Sequence, residues 1–342
     1  MQATVSLARF ITNFMRFLLP LLCLCVLTQC QKKIATPTDT PALEGYTYHQ
    51  MMMGTRFSIN LYAADSTAAD AAAKEAFQYA ANVNRACSDY DVTSELMQVN
   101  SAPANQPIKI SPMLLDVLQK ALNIAKQTNG TYDPTLGWHS YNWRMARKKN
   151  ALPTSAEINR AQKASGWQKI SLDLKQHTVT KLAKNMRLDL GGIAKGYAAD
   201  GMLEILKKHS ITRTSIVAGG EILLGDPPPH KEGWKMTFMT LDTQYTITPK
   251  NLTTSNCAIS TSGDIYQSIT INNQRYSHVV DPATGLGLTQ RISATIIAPN
   301  TTTSDALATA YCVNPKLTYP NIKKLIVFEK EDGSLGKKGQ IE

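Results

Sequence analysis

Residues Leu188–Asp200 read LDLGGIAKGYAAD: an apolar–acid–apolar step, two glycines, then a run of helical character. Such a stretch dictates a strand-to-helix turn. Gly191 and Gly192 lack a Cβ, so the chain can reverse sharply there and other groups can approach its backbone. From Ile193 the sequence is helical, so its first amides aim at the turn and, with the helix dipole, make an anion site. Asp189 closes the extended stretch, and Lys195 adds a cation in the first helical turn, where it needs an acid or a phosphate beside it. The plainer alternative is a tight turn whose Asp189 caps the helix, and a bare Gly-Gly pair by itself favours it. The spacing is not G-x-G-x-x-G, which excludes the dinucleotide turn of a Rossmann fold.

The remaining periodicity predicts a mixed chain. RFSINLYA alternates with Phe57, Ile59 and Leu61 on one face, as a half-buried strand does. Asp65-Ser66 can start an alanine-rich helix reaching about Cys87. Ser111-Pro112 is a cap followed by proline in the first turn, and Asn129-Gly130 is the matching stop. Thr154 and Glu157 have capping-box spacing. The second half carries β-branched and aromatic runs (RTSIVAGG, WKMTFMTLD, YTITP, RISATIIAP, KLIVFEK) and a helix from about Ser304, capped by Ser304 or Thr303. No regular βαβ rhythm joins them, so the class is α+β.

Two further clusters have chemical potential. His278 stands just before the Asp281-Pro282 turn of YSHVVDPATG. An imidazole titrating near neutral pH can take a proton from a hydroxyl nucleophile, although a lone histidine is more often structural. In TTSDALATAYCV, Asp305 and Thr309 are four apart and share a helix face. A carboxylate and a hydroxyl with a nearby carbonyl suit Mg²⁺, and the alternative is an acid favoured by the helix dipole beside a threonine bonding its own turn. AGGEILLGD, AISTSGD and TNGTYDPTLG read as turn chemistry. No Ser-His-Asp elbow, H-E-x-x-H or P-loop is present.

The formal charge of +10 suits an anionic ligand or membrane surface. With no zinc-finger spacing and Arg147-Lys148-Lys149 as the densest basic run, nucleic acid is not the expected partner. Phe17–Leu27 is apolar but too short to span a bilayer comfortably, and Arg9 and Arg16 precede it, as in a signal peptide. A start at Met15 gives a compact signal of the usual shape. VLTQC resembles a bacterial lipobox, with Gln29 where a small residue is usual, so Cys30 is the expected lipidated residue. Residues 1–30 are then the leader, 31–45 a polar, proline-rich tether and 46–342 the folded domain. Of six cysteines three belong to the leader, and Cys87, Cys257 and Cys312 suggest no disulfide framework.

Taken in order, MMMGT, SDYDVTSELMQVN, GTYDPTLG, LDLGGIAKGYAAD, AGGEILLG, ISTSGD, YSHVVDPATG and SDALATA resemble the ApbE family over about residues 46–330. The resemblance implies an α+β fold related to T-fold domains, with a cleft for FAD and Mg²⁺ at its pyrophosphate. It implies transfer of FMN from FAD to a Ser or Thr hydroxyl, releasing AMP. The implied acceptor carries a motif like D-G-x-[ST]-G-A-[ST], in a membrane redox-pump subunit or an extracytoplasmic flavoprotein, and the enzyme is an exported, membrane-anchored lipoprotein facing the periplasm. By the same resemblance Met53, Tyr90, Thr131, Tyr132, Asp133, Asp189, Lys195 and Val279 line the FAD site. Gly192 (through its backbone), Asp305 and Thr309 hold the metal, and His278 is the base. Asp89, Thr131-Tyr132 and Glu221 depart from the commoner family residues, Asp89 placing an extra acid near the flavin. A metal-dependent FAD pyrophosphatase and a non-catalytic flavin-binding lipoprotein are the competing expectations.

Overall fold

The strand signal at RFSINLYA becomes half of an antiparallel hairpin that starts the main sheet, β1 (Glu44–Met52) and β2 (Thr55–Ala63). The structure is a computed structural model and describes residues 42–241, 246–264 and 268–341. The leader, Cys30 and residues 31–41 of the tether lie outside these residues, and Glu44 and Gly45 belong to β1. Met53 and Gly54 form the two-residue hairpin loop, with φ of 50° and 74°. Both central residues of such a loop must be left-handed for its twist to match the strands. Phe57, Ile59 and Leu61 all point into the core, as their alternation predicts.

Helices follow where their caps are written. In α1 (Ser66–Cys87) the Asp65 carboxylate accepts from the Ala68 amide at 2.9 Å. α2 (Glu95–Ser101) and the short strand β3 (Ile108–Lys109) lead to α3 (Pro112–Gln127), capped by Ser111. α4 (Gly137–Lys149) precedes α5 (Ser155–Ala164), whose Thr154–Glu157 capping box is fully formed. β4 (Ile170–Asp173) and β3 flank β5 (Thr178–Lys181), which pairs with both in a small sheet.

The Gly191-Gly192 turn then feeds α6 (Ala194–Lys208). β6 (Thr214–Ala218), β7 (Glu221–Leu224), the hairpin β8 (Trp234–Leu241)–β9 (Ile247–Thr254) and β10 (Cys257–Gly263) follow. After the β11 (Ser268–Ile271)–β12 (Gln274–Ser277) hairpin come β13 (Ile292–Ala298), α7 (Thr301–Val313), β14 (Lys323–Glu329) and β15 (Leu335–Lys338). The main sheet has eight strands in the order β1-β2-β6-β7-β10-β13-β14-β15, all antiparallel. α7 packs on β10 and β13, α6 packs beside it, and the buried alanines Ala69, Ala72, Ala73, Ala76 and Ala80 let α1 come close to α6. The largest apolar core lies between these helices and the sheet.

The start of α7 differs from the sequence expectation. The helix begins at Thr301, not near Ser304, and its cap is Asn300, which accepts from the Thr303 amide. The Asp200 carboxylate, on α6, accepts the Thr301 and Thr302 amides at 2.7 and 2.8 Å. Two orphan donors of the first turn are therefore met by a residue a hundred positions away, which no local pattern announces, and a third by Asn300.

α6 and α7 cross at Gly196, where a Cβ would lie 2.4 Å from the Thr301 carbonyl oxygen and 3.0 Å from Asp305 Cβ. Gly196→Ala is expected to cost about 1–3 kcal/mol through overpacking and to lower the melting temperature by several degrees. An unchanged melting curve would mean that the two helices can separate without loss.

Candidate active site

The glycine turn is pinned before it is functional. The Asp189 amide donates to the Pro134 carbonyl at 2.9 Å, and the Gly137 amide to the Arg187 carbonyl at 3.0 Å, so the turn is tied to the Thr131–Gly137 loop. Asp189 Oδ1 accepts from the Gly191 amide at 2.8 Å. Burial, and then the nearby Asp89 charge, raise the Asp189 pKa above the usual carboxylate range, while the Gly191 hydrogen bond opposes them. The predicted set of free amides is largely used up: Ile193 and Ala194 both donate to the Leu190 carbonyl, at 3.1 and 2.9 Å. Asp189 does not cap the helix either, since α6 has no side-chain cap.

What the turn does expose is a carbonyl. The Gly196 amide donates to Asp305 Oδ2 at 3.0 Å rather than to the Gly192 carbonyl four residues back. Asp305 thereby takes the donor that a continuous helix would have spent on Gly192. A Cβ on Gly192 would lie 3.7 Å from Thr309 Oγ1, so the glycine, the hydroxyl and the carboxylate share one neighbourhood.

Lys195 sits among acids. Its Nζ lies 3.4 Å from Glu221 Oε1 and 3.7 Å from Asp305 Oδ2, and it donates to the Gly191 carbonyl at 3.3 Å. Burial alone would lower its pKa; Asp305 and Glu221 outweigh that and hold the ammonium protonated. Glu221 is shifted upward by burial and by the Asp305 charge, with Lys195 opposing. This is the acid partner that a lysine in a first helical turn requires.

The opposite wall is α4. Its Trp143 indole donates to the Ser277 carbonyl at 3.0 Å, fixing the helix to the strand end that carries His278. Arg144 pairs with buried Asp89 and lies 4.4 Å from the Tyr90 ring centre. The extra acid is thus neutralised and braces the arginine beneath an exposed tyrosine. Tyr132 is buried; burial, and then Asp305, Asp189 and Asp133, raise its pKa and keep the phenol protonated.

These walls enclose one cavity of about 510 Å³. Tyr90, Thr131, Tyr132, Asp133, Asp189, Gly192, Lys195, His278, Val279, Asp305 and Thr309 all line it. Met53 does not: it is held at the β1–β2 hairpin tip by its left-handed backbone. Asp133 also has a structural duty, with Oδ1 accepting from Thr135 and Oδ2 from the Trp167 amide. Sequence reasoning passed over Ser140, Trp143, Arg144 and Ser260–Gly263 as site residues, and weighed Glu221 only as a departure. The faint signal for the last group was the glycine- and serine-rich turns AGGEILLG and AISTSGD; nothing local marks Arg144.

Two buried polar atoms of the cavity have no hydrogen-bond partner among the described residues, Tyr132 Oη and Glu221 Oε2. An unmet buried group costs about 1–3 kcal/mol, so two polar groups left open on one cavity mark a ligand site. Among the described residues no three His, Cys, Asp or Glu side chains are grouped to hold a metal. A cation here depends on oxygen from Asp305, Thr309 and the Gly192 backbone. That donor set fits a hard divalent ion.

The ApbE family model matches residues 53–324. The FAD:protein FMN transferase of Chlamydia muridarum is 30% identical over 243 residues, 70% of this chain and 74% of that protein. The FAD:protein FMN transferase of Vibrio cholerae is 27% identical over 302 residues, 87% of each. The solved flavin transferase ApbE from Vibrio cholerae superposes with a TM-score of 0.76 at 24% identity, covering 87% of this chain and 97% of that one. The structure of the ApbE protein from Thermotoga maritima gives 0.73 at 26% identity, covering 86% and 97%. With a cavity that gathers the family's motifs and a match over most of its length, this chain belongs to the ApbE family.

Proposed function

We propose that this protein is an FAD:protein FMN transferase that moves FMN from FAD to a Ser or Thr hydroxyl and releases AMP. The observation that carries the reading is the meeting, on one cavity, of His278 with the Gly192–Asp305–Thr309 oxygen cluster. The relatives named above supply the reaction class.

In this reading the acceptor hydroxyl oxygen bonds to the FMN phosphorus, and the bridging P–O bond to AMP breaks. The hydroxyl proton passes to His278, and AMP leaves with the bridging oxygen. The protonated Tyr132 hydroxyl and the Lys195 ammonium offer positive hydrogens to a pyrophosphate. Asp305, Thr309 and the Gly192 carbonyl would hold Mg²⁺, which when bound supplies charge neutralisation to the pyrophosphate. Tyr90, lying on Arg144, offers a flat face for an aromatic ring.

The acceptor is read as a flavin-carrying subunit or extracytoplasmic flavoprotein with a D-G-x-[ST]-G-A-[ST]-like motif, and the enzyme as an exported lipoprotein anchored through Cys30. Mass spectrometry of the N-terminal peptide from membranes tests the anchor. A lipid-modified Cys30 is expected, and an unmodified peptide beginning elsewhere opposes it. The activity itself is tested by substituting the two groups that the cavity brings together, with transfer and FAD binding measured separately.

A further inference from the structure

We propose that a groove on the outer flank of α4 is the docking surface for the acceptor polypeptide, and that it takes an acidic segment bearing an apolar side chain. This rests on the transferase reading. The groove has a volume of about 780 Å³ and shares Tyr90, Arg144 and Arg147 with the FAD cavity.

α4 is a partition with two working faces. Ser140, Trp143, Arg144 and Arg147 follow one helical stripe and line the cavity. Tyr141, Arg144, Met145 and Lys148 follow the adjacent stripe and line the groove. The inner face is locked to the Ser277 carbonyl beside His278 by Trp143. A chain seated on the outer face is therefore held at a fixed offset from the base.

The groove's chemistry is that of a protein interface rather than a solvated flank. Val92 is 79% exposed, Tyr90 77% and Tyr141 38%, an unusual concentration of open apolar surface. Tyrosine, methionine and arginine, all present here, are the residues enriched at interface cores. Its one carboxylate, Asp89, is buried and paired with Arg144. Arg187 is engaged with the Asp89 carbonyl at 3.2 Å and with the Trp138 and Tyr141 rings. Arg147 and Lys148 are exposed, and neither forms an ion pair among the described residues. Uncompensated cations beside open apolar side chains call for a partner of opposite charge. The reaction itself demands a second, macromolecular substrate whose hydroxyl must enter the cavity, and the groove adjoins that cavity along Tyr90 and Arg144.

The test uses the double variant Val92→Asp/Lys148→Glu. Both residues line the groove alone and are exposed, so folding is expected to be unaffected. The probe is a purified flavoprotein domain carrying a D-G-x-[ST]-G-A-[ST] motif. The variant is expected to raise KM for that domain about tenfold, the effect of one moderate interface contact, with kcat and FAD affinity unchanged. The wild-type KM is expected to rise with ionic strength, as charge-steered association does. A variant KM within about twofold of wild type would overturn the docking surface, since it is smaller than a typical interface contact. A parallel loss of FAD affinity would assign the groove to the flavin and overturn it as well. A wild-type protein that leaves the domain unmodified removes the transferase reading, and the docking surface with it. A wild-type protein that modifies it as readily as the variant does removes the docking surface alone.

Discussion

Replacing His278 by alanine is expected to abolish FMN transfer while leaving FAD bound nearly as tightly. The ring lines the cavity beside buried Val279, on a segment fixed by the Trp143–Ser277 hydrogen bond and the Leu288 amide to the Val279 carbonyl at 2.9 Å. Removing the ring therefore takes away a proton acceptor without loosening its platform. A positioned general base contributes about 10²–10⁴-fold, so kcat should fall by that factor. FAD affinity, read by flavin fluorescence or calorimetry, should change little, because the polar groups facing the pyrophosphate lie on other elements. Equal losses in FAD binding and in transfer would reassign His278 to substrate binding.

The second large effect is expected at Asp305, and two substitutions separate its two duties. Asp305 Oδ2 accepts from the Gly196 amide and faces Lys195. Asp305→Ala removes both contacts; an unmet buried amide and a less compensated lysine should cost about 1–3 kcal/mol of stability. Asp305→Asn keeps an oxygen for Gly196 and removes only the charge. Its fold should hold, while its affinity for Mn²⁺ used as a probe of the cation site falls at least about tenfold, as expected when a hard ion loses its charged ligand. Transfer should fall with it and recover partly in excess Mg²⁺. Full activity of the wild type in EDTA would reject the cation site altogether.

Much of this architecture is legible locally. The alternation of Phe57, Ile59 and Leu61, the caps at Asp65, Ser111 and Thr154, and the stop at Asn129-Gly130 each record a short-range hydrogen bond or a burial period, and each appears where those patterns put it. The cavity is legible through its motifs, because the paired ends of the central strands β7 and β10 and two helices bring them together. Long-range satisfaction of the backbone is not legible. The start of α7 is set by Asp200 from α6, and the Gly192 carbonyl is released because Asp305 takes the Gly196 amide. Those bonds join residues about a hundred positions apart; of the amides and the carbonyl expected at the glycine turn, Ile193 and Ala194 spend their amides on Leu190, and the Gly192 carbonyl is the group left open. Arg144 was hidden for the same reason. Its meaning comes from Asp89 and Tyr90, which lie on the loop after α1, far from it in sequence.

The most direct measurement of the central claim incubates the protein from Gln31 onward with FAD, Mg²⁺ and an acceptor domain bearing the motif. The acceptor's intact mass and the AMP released are read together. An acceptor heavier by one FMN group, with AMP in equal amount, is the predicted result. Free FMN and AMP beside an unchanged acceptor would contradict transfer in favour of hydrolysis, and intact bound FAD would contradict catalysis.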